Sequence, residues 1–279
     1  MRVFQRQDDV IIEGISHFDI DQTFSCGQCF RFDRQEDGSY IGVAYNRVLS
    51  IRQEGETVTL AHTNLAEYHQ VWERYLDIGR DYSTVIKRLD QDEHIRAATT
   101  FGSGIRILAQ EPFECLVSFL LSQNNSIPNI RRVVERICRT YGTQLAQGYF
   151  AFPTPQQLGR ADEEALANLR CGYRAGYIAQ AVASVLDGSF DLAIGHLPTE
   201  ELRQRLMSLK GVGRKVADCI ALFGYQKIDV FPTDVWVKKA MRELYQVEGS
   251  EIDSFSSQYF GKYRGLAQQY LFYHMRCGY

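Results

Sequence analysis

The run from Leu209 to Lys215 combines two closely spaced glycines with a lysine amine. It reads Leu-Lys-Gly-Val-Gly-Arg-Lys, so that Gly211 and Gly213 lie one residue apart between two amphipathic stretches. A tight turn of this kind leaves backbone N–H groups uncovered, and a helix that begins near Gly213 points its partly positive N-terminus outward. Together these groups could hold a DNA phosphate without reading sequence. By itself, the glycine pair is equally typical of an ordinary turn between helices.

Lys215 and Asp234 follow this turn and carry an amine and a carboxylate. A lysine amine can attack an electrophilic carbon, and a carboxylate can stabilise positive charge that develops there. Both residue types also have simpler interpretations. Lys215 lies beside the buried face marked by Val216 and Ile220, where a surface lysine is ordinary, and Asp234 follows Pro232 in a position that would cap the next helix. Neither residue alone indicates catalysis.

Seven cysteines are scattered through the chain, at positions 26, 29, 115, 138, 171, 219 and 277. The odd number, in a chain long enough to fold without cross-links, argues against a disulfide framework and favours a reducing compartment. Cys26 and Cys29 have the two-residue gap of a zinc knuckle, but no second pair and no histidine cluster follows them. The spaced cysteines of an iron–sulfur site are also missing. The sequence therefore predicts no metal site and no redox cofactor.

The charge is unevenly distributed, although the net charge is only −3. Residues 1–105 hold 11 basic and 17 acidic side chains, for a net charge of −6, whereas residues 106–279 hold 20 and 17, for +3. Between Arg203 and Arg242, nine basic residues stand against three aspartates. A basic patch on an acidic protein suits contact with a polyanion, although a solvated helix face would have a similar composition.

The elements that must position these residues fall into two parts. From about residue 3 to 62 the hydrophobic pattern has period two, and turn residues separate 47–51 from 57–60 and 29–32 from 40–44, which predicts antiparallel hairpins. After Asn64, and almost exclusively from Pro112, the period is helical. The pattern predicts an α+β fold, with an antiparallel sheet domain and flanking helices over 1–105 and a helical domain over 106–279. An apolar stripe over 127–137 predicts one helix. Further helices are predicted over 113–121, 162–169, 174–187, 199–208, 213–224, 234–246, 251–260 and 262–274.

Membrane insertion and secretion are not expected. The most apolar run, residues 115–121, is far shorter than the roughly 18–20 residues that a membrane span needs. The N-terminus lacks the apolar segment and cleavage site of a signal peptide. We therefore expect a soluble protein that stays in the compartment where it is made.

Taken together, the glycine turn, Lys215 and Asp234 resemble the signature of the helix-hairpin-helix DNA glycosylases. That signature is Leu-x-Gly-Val-Gly, a lysine just beyond it, and Pro-x-Asp further on, with the hairpin itself falling here at about 203–224. The lysine marks those members that are both glycosylases and lyases. Six further stretches narrow the resemblance to the 8-oxoguanine DNA glycosylases. They are Ser-Cys-Gly-Gln-Cys-Phe-Arg-Phe at 25–32, Glu-Pro-Phe-Glu-Cys-Leu at 111–116, Ser-Gln-Asn-Asn-Ser-Ile at 122–127, Gly-Tyr-Arg-Ala at 172–175, Lys-Val-Ala-Asp-Cys-Ile at 215–220 and Ala-Gln-Gln-Tyr-Leu-Phe at 267–272.

This resemblance implies catalytic roles for the two reactive residues. Lys215 would attack C1′ of the damaged nucleotide, and Asp234 would support positive charge on the sugar and assist proton movement. The imine that forms would let the 2′ proton leave, so that the strand is cut by β-elimination. Gly211 and Gly213 would contact the DNA backbone, and the hairpin carbonyl groups could hold a structural monovalent cation.

The resemblance also implies a pocket for the damaged base. A base inside a duplex cannot be reached, so it must first be flipped out. Cys219 and Phe272 would enclose the flipped base, and Gln268 would read its Watson–Crick edge. The Gly27 carbonyl would detect the N7–H of 8-oxoguanine, because guanine has an acceptor at that atom and would be repelled. Seen alone, Cys219 and Phe272 would also be ordinary core residues.

Contacts to the opposite strand are implied at three residues, and the sequence departs from the family pattern nearby. Asn124 and Arg174 would donate to the orphaned cytosine, and Tyr173 would act as a wedge between bases. Asn129 stands where eukaryotic members have an arginine that contacts this cytosine, so we expect a weaker preference for cytosine opposite the lesion.

A second departure concerns a phosphate contact. Eukaryotic members have a histidine near a phosphate and an aspartate that supports it, and this chain has Trp236 and Met275 at those positions. The contact must therefore be made differently here.

The function that the resemblance implies is excision of 8-oxoguanine from duplex DNA, followed by strand cleavage. The sheet domain would be similar to the TATA-binding protein, and the chemistry would need no cofactor. The partner would be double-stranded DNA that contains 8-oxoguanine, and the protein would act as a monomer inside the cell, in the cytoplasm or nucleoid of a bacterium or the nucleus of a eukaryote. Two alternatives remain open: a related glycosylase for another oxidised base, against which the sheet domain and the Gly27 stretch argue, and a DNA-binding protein whose lysine is structural.

Overall fold

An antiparallel sheet followed by a helical remainder makes up the computed structural model, which describes residues 1–278. The strands of the main sheet are β1 (Arg2–Arg6), β2 (Asp9–Glu13), β3 (Phe32–Arg34), β4 (Tyr40–Ala44), β5 (Arg47–Glu54) and β6 (Thr57–Ala61). Their order is β1-β2-β6-β5-β4-β3, and each neighbouring pair is antiparallel. The predicted α+β class and the predicted hairpins are confirmed, with Ile51 opposite both Leu60 and Tyr40.

The predicted helices of the second part are also confirmed, to within three residues at most of their ends, and the helix from Ile127 continues past its apolar stripe to Tyr141. Pro112 occupies the first turn of its helix, as expected for a residue that has no N–H to donate. The α-helices are α1 (Ile20–Ser25), α2 (Leu65–Glu67), α3 (Glu73–Tyr75), α4 (Tyr82–Leu89), α5 (Glu93–Phe101), α6 (Pro112–Leu121), α7 (Ile127–Tyr141), α8 (Pro155–Leu158), α9 (Glu163–Asn168), α10 (Ala175–Leu186), α11 (Thr199–Met207), α12 (Arg214–Tyr225), α13 (Val235–Tyr245), α14 (Glu251–Tyr259) and α15 (Arg264–Cys277).

The sheet is covered by the helical segment that follows it. The Asn64 side chain accepts a hydrogen bond from the Glu67 N–H and so caps α2, and a π-helical turn joins α2 to α3. The aromatic side chains of Tyr68 and Trp72 are fully buried against the sheet. Burial of large apolar side chains on one face explains why this segment packs here.

The strand predicted to begin at Cys29 is wrong, because β3 begins only at Phe32. The buried Gln28 side chain donates to the carbonyl oxygens of Thr23 (2.9 Å) and Arg106 (2.7 Å) and accepts from the Leu108 N–H (2.9 Å). These bonds tie the loop 26–30 to α1 and to residues 106–108, so that pairing with β4 begins only at Phe32.

Helix α8 and two further elements were not indicated by the hydrophobic period. Helix α1 interrupts the region predicted to be entirely strand, with the Asp19 side chain accepting from the Gln22 N–H at its start. A small hairpin of β7 (Gln144–Ala146) and β8 (Tyr149–Phe150) interrupts the helical part.

The buried apolar side chains form two clusters. One fills the space between the sheet and the helical segment 65–76, and the other extends through the helical part. Leu89 of α4 and Ile95 of α5 belong to the second cluster although they precede residue 105. The domain boundary at residue 105 stays a prediction. Within residues 1–278, no helix is both long and apolar enough to cross a membrane.

Candidate active site

A cavity of about 120 Å³ opens to solvent where the sheet part meets the helical part. Its walls come from the loop 26–30, the end of α6 and the loop after it, the start of α7, helix α12, the residues before α13, and helix α15. Six predicted residues from four separate segments lie together in its lining: Gly27, Lys215, Cys219, Asp234, Gln268 and Phe272.

Lys215 lies in the first turn of α12 and is half-buried. Its Nζ is 3.3 Å from the Ser122 hydroxyl oxygen and 5.9 Å from the centre of the Phe119 ring. Among residues 1–278, no carboxylate lies within 4.0 Å of this amine. The side chain therefore lines the cavity without a close ion pair.

Asp234 both caps a helix and lines the cavity. Its Oδ1 accepts a hydrogen bond of 2.8 Å from the Val237 N–H at the start of α13, which confirms the predicted cap. Burial raises the pKa of Asp234, whereas the bond from Val237 and the positive charge of Lys215 act in the opposite direction. The cap fixes the carboxylate on the same cavity as the Lys215 amine, so the structural role and a catalytic role are compatible.

Gly27 has a backbone conformation that a residue with a side chain would adopt only with strain. Its φ is +83°, and a Cβ there would lie 3.0 Å from Ile127 Cδ1 and 3.4 Å from Phe272 Cε1. The loop is held from the helical side, because Gln269 Nε2 donates to the Cys26 carbonyl oxygen (2.9 Å). The main chain at Gly27 can thus approach a molecule in the cavity closely.

Cys219, Gln268 and Phe272 line the cavity from α12 and α15. Burial raises the pKa of the Cys219 thiol to about 11, although the charge of Lys215 acts in the opposite direction, so this thiol is neutral near pH 7. Gln268 is only 4% exposed, and its Oε1 has no hydrogen-bond partner among residues 1–278. A buried acceptor without a partner is costly, and the N–H groups on the edge of a base would satisfy it.

The predicted hairpin is confirmed between α11 and α12. Gly211 has a φ of +86°, and a Cβ there would lie 2.5 Å from the Tyr177 ring, so only glycine fits without rearrangement. Gly213 is exposed, borders open space and precedes the first residue of α12. Its surroundings leave the N-terminus of α12 open to an anion.

One of the nine basic residues counted in the basic patch is not on the surface. Arg203 is 2% exposed, and its Nε donates to Asp218 at 2.6 Å, with a second ion pair to Glu200. Its charge holds α11 against α12 and is not offered to solvent. The prediction was wrong for this residue because spacing along a helix does not show which cations find a buried partner.

Asn124, Tyr173 and Arg174 meet at one edge of the helical part. Asn124 is exposed and has a φ of +46°, and Tyr173 is 58% exposed. Arg174 is 8% exposed and lies against the Tyr173 ring, with its Cζ 4.4 Å from the ring centre. Its guanidinium donates to the carbonyl oxygens of Gln123 (2.8 Å) and Asn124 (2.9 Å). Arg174 thus supports the loop that carries Asn124, and its contact to a cytosine stays a prediction.

Several lining residues were not singled out from the sequence. Ser122 accepts from Lys215 and donates to the Phe119 carbonyl oxygen (2.8 Å), and Gln269 positions the Gly27 loop. Both lie inside stretches that carried the family resemblance, which was the only signal available for them. Arg276 lies beside this lining, against Phe272 and the loop that carries Gly27, and the resemblance gave no signal for it.

The two thiols of the Cys-x-x-Cys stretch lie in different apolar clusters, Cys26 in the helical one and Cys29 in the sheet one. Among residues 1–278, no group of three or more histidine, cysteine, aspartate or glutamate residues is arranged to hold a metal ion.

Comparison with protein families first defines the class. Residues 117–259 match the family described as "HhH-GPD superfamily base excision DNA repair protein". Residues 10–116 match "8-oxoguanine DNA glycosylase, N-terminal domain". The class is therefore a base excision repair protein of the helix-hairpin-helix type with this additional N-terminal domain.

Comparison with individual proteins narrows the class. A solved structure of the Clostridium acetobutylicum 8-oxoguanine glycosylase/lyase, in complex with double-stranded DNA that contains cytosine opposite 8-oxoguanine, is 40% identical. It covers 99% of this chain and 98% of that one, with a TM-score of 0.96. A probable N-glycosylase/DNA lyase of Methanothermobacter thermautotrophicus is 30% identical over 67% of this chain and 68% of its own length. The chain belongs to the 8-oxoguanine DNA glycosylase family.

A yeast relative matches over a smaller part. The N-glycosylase/DNA lyase of Saccharomyces cerevisiae is 37% identical over 164 residues, which are 53% of this chain and 44% of the yeast protein. The chain thus matches less than half of the length of that relative.

Proposed function

We propose that this protein excises 8-oxoguanine from duplex DNA and then cuts the strand as a lyase. One observation carries the proposal: Lys215 of α12 and Asp234, the cap of α13, line the same open cavity as Gly27 and Gln268. The nucleophile, the carboxylate and the groups that would recognise a base therefore share one site. The Clostridium relative, named an 8-oxoguanine glycosylase/lyase, supports the choice of substrate.

The first step is attack of the neutral Lys215 amine on C1′ of the flipped nucleotide. The bond from C1′ to the base nitrogen breaks, its electron pair leaves with the base, and the base takes up a proton. One amine proton passes to the departing base and the other to O4′ as the sugar ring opens, which gives an imine between C1′ and Nζ. Loss of a proton from C2′ then expels the 3′ phosphate by β-elimination, and water hydrolyses the imine.

Asp234 contributes electrostatic stabilisation in this scheme. As the bond to the base breaks, positive charge develops on C1′ and O4′, and a fixed carboxylate on the same cavity lowers the energy of that state. Because the Val237 N–H holds Oδ1 in place, the carboxylate needs little reorganisation when the charge appears. The second oxygen can accept and return a proton.

Recognition of the base is assigned to the remaining lining residues. Cys219 and Phe272 would contact the two faces of the base, and the unpartnered Gln268 Oε1 would accept from N–H groups on its Watson–Crick edge. The Gly27 carbonyl oxygen would accept from the N7–H that 8-oxoguanine has and guanine lacks.

The DNA itself would lie across the exposed edge that carries the hairpin and the Asn124 loop. Gly211 and Gly213 would contact a phosphate, Tyr173 would insert between bases, and Asn124 with Arg174 would face the opposite strand. We infer that the protein acts as a monomer in the compartment that holds chromosomal DNA, which is the nucleoid in a bacterium and the nucleus in a eukaryote.

Borohydride trapping on an 8-oxoguanine duplex tests the chemistry directly, since only an enzyme that forms an imine becomes covalently attached to the DNA. We expect the wild type to be trapped, and Lys215→Gln to bind the duplex but to lose both excision and trapping. Lys87→Gln, at an exposed lysine of α4, serves as the control and should be trapped like the wild type.

Two outcomes would contradict this proposal. Trapping of the Lys215→Gln variant would assign the nucleophile to another residue. Trapping of the wild type on duplexes with an oxidised pyrimidine, but not with 8-oxoguanine, would favour the related glycosylase with a different substrate.

A further inference from the structure

Helix α15 carries an arginine, Arg276, one turn beyond the two cavity-lining residues assigned to base recognition. Gln268, Phe272 and Arg276 are spaced by four residues, so they lie on one face of the helix, each about 6 Å further along its axis. Gln268 is buried, whereas Phe272 and Arg276 are half-buried. Arg276 therefore stands at the outer end of the face that lines the cavity.

The Arg276 guanidinium lies between α15 and the loop that carries Gly27. Its Cζ is 5.8 Å from the centre of the Phe272 ring, and its Nη1 is 3.5 Å from the Ser25 carbonyl oxygen. The same Nη1 lies 3.5 Å from where a Cβ of Gly27 would be. The positive charge also acts on Asp234, whose pKa it helps to lower against the effect of burial.

Most hydrogen-bond donors of Arg276 have no partner among residues 1–278. Among residues 1–278, no carboxylate lies within 4.0 Å of its guanidinium, whereas Arg203 and Arg264 have such partners at 2.6 and 3.0 Å. Of the five N–H groups of an arginine, only one makes a hydrogen bond within the described part of the chain, and that bond is long. A half-exposed guanidinium with free donors at the mouth of a cavity suits an oxyanion.

We propose that Arg276 binds a backbone phosphate next to the flipped nucleotide and so holds its sugar between Lys215 and Asp234. The inference rests on the proposed function, because that function brings a nucleotide into the cavity. The base of such a nucleotide is uncharged and enters, whereas its flanking phosphates are anionic and remain at the mouth. The guanidinium is half-exposed and lies outside the lining, against Phe272 and Gly27, so the phosphate is the better match in both charge and place.

Binding measurements with two lesion duplexes test this proposal. One duplex contains 8-oxoguanine, and the other has a tetrahydrofuran residue, which keeps both phosphates but has no base. For Arg276→Gln we expect the Kd of both duplexes to rise by the same factor, about tenfold, as expected for loss of one charge-assisted hydrogen bond. The slope of log K against log salt concentration should become less steep by about 0.9, the effect of one phosphate contact in duplex DNA.

Two variants serve as controls. Arg276→Lys keeps the positive charge and should retain the wild-type salt slope with a smaller rise in Kd. This variant also tests the proposal if the glutamine variant folds poorly. Arg160→Gln removes an exposed arginine next to Gly159. Gly159 packs near Leu186, at the opposite end of α10 from Tyr173, so this arginine is remote from the proposed DNA contacts. It should change neither Kd nor slope.

The outcomes separate the possibilities. A loss of affinity confined to the 8-oxoguanine duplex would mean that Arg276 contacts the base, and unchanged affinity for both duplexes would mean that it contacts neither group. Either result overturns the proposal. Binding to the tetrahydrofuran duplex needs no excision, so failure here leaves the trapping test of the proposed function unaffected, and failure of trapping leaves this test interpretable.

Discussion

Replacing Asn129 by arginine should sharpen the preference of the enzyme for cytosine opposite the lesion. In the structure, Asn129 Nδ2 donates to Asn125 Oδ1 at 2.8 Å, and Asn125 Nδ2 donates to the Leu121 carbonyl oxygen at 3.0 Å. These amides therefore stabilise the turn between α6 and α7. The donors of Arg174 are likewise used on the carbonyl oxygens of Gln123 and its neighbour.

The size of the expected preference for cytosine follows from the hydrogen-bond donors that can still reach the opposite base. Of Asn124, Asn129 and Arg174, Asn124 alone is exposed, so its amide is the most accessible donor to the opposite base. A good bidentate contact discriminates between bases by roughly 1–3 kcal/mol. One neutral amide should discriminate at the low end of that range, by about 1 kcal/mol, which is a factor of about five. We expect the wild type to excise 8-oxoguanine opposite cytosine less than about tenfold faster than opposite adenine, guanine or thymine. Asn129→Arg should increase that ratio by one to two powers of ten.

The assay is single-turnover excision, with enzyme in excess, on four duplexes that differ only in the opposite base. Asn129→Ala is the matched control, because it breaks the bond to Asn125 without adding a donor, and its ratio should stay shallow. A wild-type preference for cytosine above about a hundredfold, which is near 3 kcal/mol, would refute the reasoning. So would a steep ratio in the alanine variant, since the effect would then come from the loop and not from the new charge.

Three further predictions concern the pocket and its support. Asp234→Asn should lower single-turnover excision by about a hundredfold or more through loss of the charge, while denaturant unfolding shows a stability change below about 1 kcal/mol, because asparagine caps helices as well as aspartate. Gly27→Ala should lower the unfolding free energy by about 1–2 kcal/mol, because the left-handed backbone at this position disfavours a side chain. It should also lower excision, because the new Cβ would lie only 3.0 Å from Ile127 Cδ1 at the cavity. Burial raises the pKa of Glu114 from 4.5 to about 7 against the opposing charge of Arg31. Its contribution to stability is therefore present below about pH 4.5 and lost as the pH rises through about 7, and Glu114→Gln should flatten this decline in unfolding free energy.

Each of these predictions has an outcome that contradicts it. Unchanged excision by Asp234→Asn would leave this residue as a helix cap only. Excision by Gly27→Ala at the wild-type rate would show that the loop can move away from the cavity. An equal pH dependence of unfolding in the wild type and in Glu114→Gln would assign the decline to other groups.

Local features of this protein were determined by the sequence itself. The alternation of residues 47–61 fixes which side chains of β5 and β6 face the core, because strand side chains point to opposite faces in turn. Asp234 was identifiable as a cap from its place before an apolar helical stripe, and Gly211 as a turn residue from its neighbours. In each case the physical cause acts over a few residues, and those residues are adjacent in the chain.

Recognition of the site needed both local motifs and the family resemblance, but its geometry depended on tertiary contacts. The loop at Gly27 departs from the predicted strand because Gln28 bonds to residues almost eighty positions away. Arg203 looked like a surface cation until α12 placed Asp218 against it, and Arg276 gained its position at the cavity only because α15 packs beside the Gly27 loop. Burial, ion pairing and unsatisfied donors depend on which distant segments meet, and the local sequence pattern does not specify that meeting.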